Sequence, residues 1–214
     1  MSSLTPRKLL AAFFIVHVAV RPVTFAYSDN GIGFHHNAYD RGLFVQRWLG
    51  AEDFRFVPDI AYGPVHYYLV AATMAAVPDP TDATRYLSFL SSIAVFFLVA
   101  GLARRIFGAW EGAAAGLLVA LHPHGIRLSV VGLDMMPYAA LLLGGFYAFA
   151  RFREERAAAW AALSGALFTL AAATRFEAWI VLPVAAVAAI AADRKKGARS
   201  RRARRRVSRR VDGV

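Results

Sequence analysis

Basic residues in this chain gather at alternate gaps between its apolar stretches, and that alternation constrains the fold more than any motif. Arg7 and Lys8 precede the first stretch, Arg104 and Arg105 follow the second, Arg151, Arg153 and Arg156 follow the fourth, and an arginine-rich run from Arg194 to Arg210 follows the last. Gaps rich in Lys and Arg stay on the cytoplasmic side of a bilayer. Both termini are therefore expected inside, while the gaps holding Asp40, Asp59, Asp134 and Glu177 face outward.

Six apolar stretches, at residues 9–27, 85–103, 112–131, 135–150, 157–174 and 176–192, come near the roughly 17–20 residues that cross a hydrocarbon core of about 30 Å. The expected fold is all-α: a polytopic membrane helix bundle of about six transmembrane helices over residues 1–192. The basic segment 193–214 has almost no apolar content to bury and is expected to be a disordered cytoplasmic tail. Residues 64–77 are too short to span. Counting them as a seventh span would also put the arginine-rich gaps outside, so they read as an interfacial helix within a long first outer loop, 28–84, with Tyr62, His66, Tyr67 and Tyr68 at interfacial depth. Arg21 lies near the outer end of the first stretch, where a long side chain can snorkel to the interface. Thr24-Phe25-Ala26 offers the alternative of a cleaved signal peptide.

The net charge of +11 would point to nucleic acid on a soluble domain. Here it is segregated into gaps and tail, where it meets an anionic leaflet, so membrane lipids are the expected partner and nucleic acid is not. The chain has no cysteine, which excludes disulfides, thiolate metal sites and a thiol nucleophile. Small-residue runs such as Gly112 to Gly116 and Ala157 to Ala159 let helices approach closely in lipid.

The outer gaps carry the candidate chemistry. Asp40 can act as a general base or hold a divalent cation, or can simply pair with Arg41. His35 and His36 are adjacent, so a shared metal would need a turn and further ligands such as Asp40 or His66; otherwise they are interfacial polar residues. Arg127 and Asp134 flank the next gap. Either they form a salt bridge that secures the turn, or Arg127 attracts a phosphate while Asp134 lines a polar cleft. In the third gap Arg175 can pair with Glu177 or face a lipid phosphate, beside an interfacial Trp179.

The order of these elements resembles the membrane glycosyltransferases of the C-type (GT-C) fold, in particular the protein mannosyltransferase and aminoarabinose transferase group. The resemblance covers a first span, a long outer loop with an acidic residue at Asp40, a proline-led helix at Tyr62-Gly63-Pro64-Val65-His66-Tyr67-Tyr68, the span ending Ala103-Arg104-Arg105-Ile106-Phe107-Gly108, the Arg127 to Asp134 region, and the turn Thr174-Arg175-Phe176-Glu177-Ala178-Trp179. It implies transfer of a sugar from a polyprenyl-phosphate donor at the outer membrane face of the cell envelope, to an acceptor the sequence does not name. By the same resemblance Asp40 is the catalytic base and Arg127, Asp134, Arg175 and Glu177 form the donor and phosphate site. The loop residues His35, His36, Tyr62 and His66 flank the substrate.

The chain departs from that pattern. His36-Asn37 stands where many relatives carry an Asp-Glu pair, and Tyr62 where many carry a lysine. A metal-free mechanism is favoured over a divalent metal, because the outer loops offer no closed set of hard-oxygen ligands. Relatives are longer, so the expected reading is an N-terminal core, truncated or frameshifted in its arginine-rich tail, that needs a C-terminal half or a protein partner. The rival readings are a non-catalytic membrane assembly subunit, a degenerate transferase fragment, or a carrier of lipid-linked substrates.

Overall fold

A computed structural model describes residues 5–27, 36–50, 63–187 and 190. His35, Tyr62 and the tail lie outside the described residues, and of His36 only the helical backbone is described. Every regular element among the described residues is helical: α1 Pro6–Tyr27, α2 His36–Gly50, α3 Pro64–Met74, α4 Pro80–Ile106, α5 Ala109–Leu121, α6 Pro123–Leu128, α7 Met135–Glu155 and α8 Ala158–Ala172, then α9 Ala178–Val187. By packing the chain divides into Met1–Phe176 and Glu177–Val214. The second unit contributes α9, which is short and apolar.

Within the first unit α1 packs on α5, α5 on α4, α4 on α7 and α7 on α8, while α2 and α3 pack on α4 and on each other. These contacts define two ends. At one end Arg105 pairs with Glu154 and donates to the Tyr147 hydroxyl at 3.1 Å, and Arg7 and Arg104 line one cavity. Three of the basic gaps predicted to share a side of the membrane thus lie at one end of the bundle, and the fourth, the tail, lies outside the described residues. Asp134, Arg175 and the start of α4 lie at the other.

α1 and α4 are long and apolar enough to cross a membrane. Their surfaces are inverted relative to a water-soluble bundle. Ile15 is 67% exposed and Leu118 on α5 is 72% exposed, whereas Arg21 is 1% exposed and His17, Ser88 and Ser92 are fully or almost fully buried. Apolar side chains facing outward cost nothing in lipid, and polar ones gain partners only inside. α7 and α8 approach closely: Ser164 Oγ donates to the Gly145 carbonyl at 3.0 Å, and a Cβ on Gly145 would lie 2.4 Å from the Phe168 ring.

Three expectations change. The stretch at 112–131 is not one helix. Pro123 has no N–H to continue the α5 ladder, so the helix stops at Leu121, and His122, extended as residues before proline prefer, caps α6 by accepting from Gly125 N at 3.0 Å. The first outer loop contains a full helix, α2, ahead of the expected one at Pro64. Finally, His66 and Tyr67 are not at an interface. They are buried, with Tyr67 and Val70 packed against Val45 of α2 and flanked by Leu87 of α4. At 11 residues α3 is about 16 Å long, too short to cross.

Candidate functional site

The end of the bundle opposite the basic clusters is organised by the loop between α6 and α7. Gly132 adopts φ +79°, a left-handed conformation that costs glycine little, and a Cβ there would strike the Thr84 hydroxyl at 2.6 Å. From α4, Ser88 Oγ donates to the Leu133 carbonyl at 3.0 Å. Arg85 donates through Nε to the Val130 carbonyl at 3.1 Å and through Nη2 to the Phe25 carbonyl at 2.8 Å, with its guanidinium 3.4 Å from the centre of the Phe25 ring. Arg85 thus ties α1, α4 and this loop together. Val130, Val131 and Leu133 form an apolar plug beneath it, against Phe25 and Leu128.

The loop delivers Asp134 to the head of α7, where its carboxylate is not used as a cap. Instead Arg41 Nη1 donates to Oδ1 at 2.6 Å and Arg175 Nη1 donates to Oδ2 at 2.7 Å. The three side chains are 5%, 13% and 1% exposed for Arg41, Arg175 and Asp134. Two guanidinium groups thus share one carboxylate in a poorly hydrated place. The charges are held by short charge-assisted bonds. Each oxygen of Asp134 accepts from one arginine.

His66 enters the same neighbourhood from α3. It is fully buried, and neither ring nitrogen has a hydrogen-bond partner among the described residues. Burial pushes its pKa down to about 4; Asp134 opposes that shift, and Arg41 and Arg175 add to it. The imidazole is neutral at pH 7.

α3 is fixed there by an unusual seam. Gly63 N donates to the Thr174 carbonyl at 3.1 Å and Val65 N to the Ala173 carbonyl at 3.2 Å, so the unsatisfied donors at the start of one helix meet the unsatisfied acceptors at the end of another. The approach requires glycine: a Cβ on residue 63 would sit 1.8 Å from the Ala173 oxygen.

The structure brings the candidate residues Asp134, Arg175 and His66 near one another, and adds Arg41, expected only as a neighbour of Asp40. Asp40 is exposed on α2, one residue ahead of buried Arg41. Arg127 is exposed on α6 and forms no ion pair with Asp134, so of the two alternatives for that gap the salt bridge is not formed, and Asp134 pairs with Arg41 and Arg175 instead. Glu177 opens the second unit. Among the described residues no three His, Asp or Glu side chains are grouped to hold a metal ion.

Against known families, the model for dolichyl-phosphate-mannose-protein mannosyltransferase matches residues 61–203, about two-thirds of the chain. The chain belongs to this family. Mannosyltransferase relatives of this kind are membrane glycosyltransferases of the GT-C type, in keeping with the apolar helices found here. His66, Asp134 and Arg175 fall within the matched segment, while Asp40 and Arg41 precede it. No curated protein and no solved structure matches the chain.

Proposed function

We propose that this mannosyltransferase-family chain binds a polyprenyl-phosphate-linked sugar at the outer end of its bundle and takes part in transferring that sugar to an acceptor. The observation that supports the reading is the buried Arg41–Asp134–Arg175 triad, in which two guanidinium groups converge on one carboxylate at the end of the bundle remote from its basic clusters. Guanidinium groups held in a poorly hydrated place match phosphate oxygens in geometry and charge.

In the proposed reaction an acceptor oxygen or nitrogen attacks the anomeric carbon, the carbon–oxygen bond to the lipid phosphate breaks, and the phosphate leaves with the electron pair. Asp40, exposed on α2, takes the acceptor proton. Arg41 and Arg175, with Arg127 at the surface, stabilise the departing phosphate. Asp134 is a positioning residue, since both of its oxygens are engaged by the arginines. Glu177, His35, His36 and Tyr62 stay assigned to the donor site and substrate loop on resemblance alone. The membrane setting proposed is multi-pass, with both termini cytoplasmic.

Transfer of mannose from a synthetic polyprenyl-phosphate-mannose to acceptor, with product analysis, tests the reading. Intact donor moved between leaflets would mark a carrier. Neither transfer nor movement, with or without the rest of an assembly, would mark a non-catalytic subunit.

A further inference from the structure

Arg21 was expected to snorkel outward. Instead it points into the bundle, where its Nη1 donates to the His17 carbonyl at 2.7 Å and its Nε has no partner. Among the described residues it pairs with no carboxylate. A guanidinium this deeply buried in a membrane-crossing helix is costly unless an anion or a polar cluster receives it. His17 is also fully buried one turn earlier. Its Nε2 lies 3.4 Å from Ser92 Oγ, whose proton goes to the Phe89 carbonyl at 2.7 Å, and its Nδ1 has no partner.

Both side chains line a cavity of about 170 Å³ with Ser92 of α4 and His122 at the head of α6. That is well over the roughly 10–15 Å³ needed to hold one water. Arg21 also lines a second cavity, of about 240 Å³, whose other walls are Pro22, Phe25, Ala26, Tyr86 and Phe89. Pro22, Ala26 and Tyr86 are exposed, so this apolar groove between α1 and α4 opens on the surface that faces lipid. Arg21 therefore lines both a chamber that His17, Ser92 and His122 also reach and an apolar, lipid-facing groove.

We infer that this pair of cavities binds a phosphate-bearing membrane lipid, with the phosphate on Arg21 and His17 and the first part of the apolar chain in the groove beside Phe25 and Tyr86. Phosphate is the anion that membrane lipids carry next to their apolar part, and the guanidinium fork matches its oxygens. The depth is suitable: Arg21 lies six residues before the end of α1, about 9 Å along the helix axis. The unpartnered His17 Nδ1 accepts a P–OH proton from a monoester, or donates to a phosphate oxygen when protonated. The site is separate from the Arg41–Asp134–Arg175 triad and does not rest on the transfer reading.

The test uses the full chain, delipidated in an uncharged maltoside detergent, with lipid binding read by native mass spectrometry and by thermal shift. Dioleoyl phosphatidic acid is compared with dioleoylglycerol, which has the same tails and no phosphate, and with inorganic phosphate, which has no tails. Phosphatidic acid should bind and raise the unfolding temperature, while the other two do so weakly. Arg21→Gln should weaken phosphatidic acid binding about tenfold or more, as loss of a charged hydrogen bond predicts. Equal binding of dioleoylglycerol would overturn the phosphate site, equal binding of inorganic phosphate would overturn the lipid assignment, and undiminished binding by folded Arg21→Gln would overturn the role of Arg21. If Arg21→Gln does not fold, the three-ligand comparison on the unaltered chain decides. Because no sugar transfer is measured, failure here is distinguishable from failure of the proposed reaction.

Discussion

Arg41 and Asp134, 93 residues apart, meet at 2.6 Å in the interior of the bundle end opposite the basic clusters, and Arg175 donates to the second carboxylate oxygen of Asp134 at 2.7 Å. One carboxylate thus joins the start of α2, the head of α7 and the turn after α8. Asp134→Asn keeps the shape but removes the carboxylate charge to which both largely buried guanidinium groups donate, which costs about 3–5 kcal/mol. Arg127→Ala, at an exposed position with no ion pair to Asp134, should stay within about 0.5 kcal/mol of wild type. Denaturant or thermal unfolding in detergent compares the two. Equal stability of both variants would mean that the triad does not hold the outer end together.

The seam between α3 and α8 gives a second expectation. Gly63→Ala drives a methyl group to 1.8 Å from the Ala173 oxygen, so the two backbone bonds must open and stability should fall by about 2 kcal/mol or more. Gly165→Ala, where an added Cβ meets nothing within 4 Å, should be neutral or stabilise α8 by up to about 1 kcal/mol. Hydrogen exchange at Val65 reads the seam directly, and should rise in the first variant alone.

His66 makes stability depend on pH. Its folded pKa, about 4, lies below its ordinary value of 6.5, so between those values the unfolded chain binds more protons than the folded one. The stabilisation is fully present above about pH 6.5 and is lost as pH falls towards 4. Unfolding midpoints at pH 7.5 and pH 5 should differ, and His66→Leu should shrink that difference. An unchanged pH dependence in the variant would place the titration elsewhere.

Membrane orientation follows from the basic end of the bundle. Since the chain has no cysteine, Ser28→Cys should react with an impermeant thiol reagent in intact cells and Ser200→Cys should react only after permeabilisation. Labelling of Ser200→Cys in intact cells would require an odd number of crossings.

Much of this architecture is written in local sequence. Long apolar runs with basic flanks are enough to locate α1 and α4, and Pro64 and Pro80 mark the starts of α3 and α4, where a missing N–H does no harm. The break at Pro123 was hidden because hydropathy averaged over 112–131 does not register one lost hydrogen bond. α2 was hidden because its polar residues, including Arg41, look like loop until a buried partner is known. Asp134 and Arg175 were legible as ionisable residues placed at span ends. Their pairing was not, because sequence spacing favours Arg127, seven residues from Asp134, while packing selects arginines 93 and 41 residues away. Arg21 shows the same limit, since a residue's position along a helix does not tell which face will be buried.

The most direct measurement is turnover of polyprenyl-phosphate-mannose by the membrane-embedded protein, with kcat and KM separated. If Asp40 removes the acceptor proton, Asp40→Asn lowers kcat by about 10²- to 10⁴-fold with little change in donor binding. Arg175→Ala, which removes part of the proposed phosphate site, should chiefly raise the KM for donor. Wild-type turnover in folded Asp40→Asn, or an unchanged donor KM in folded Arg175→Ala, would contradict the account.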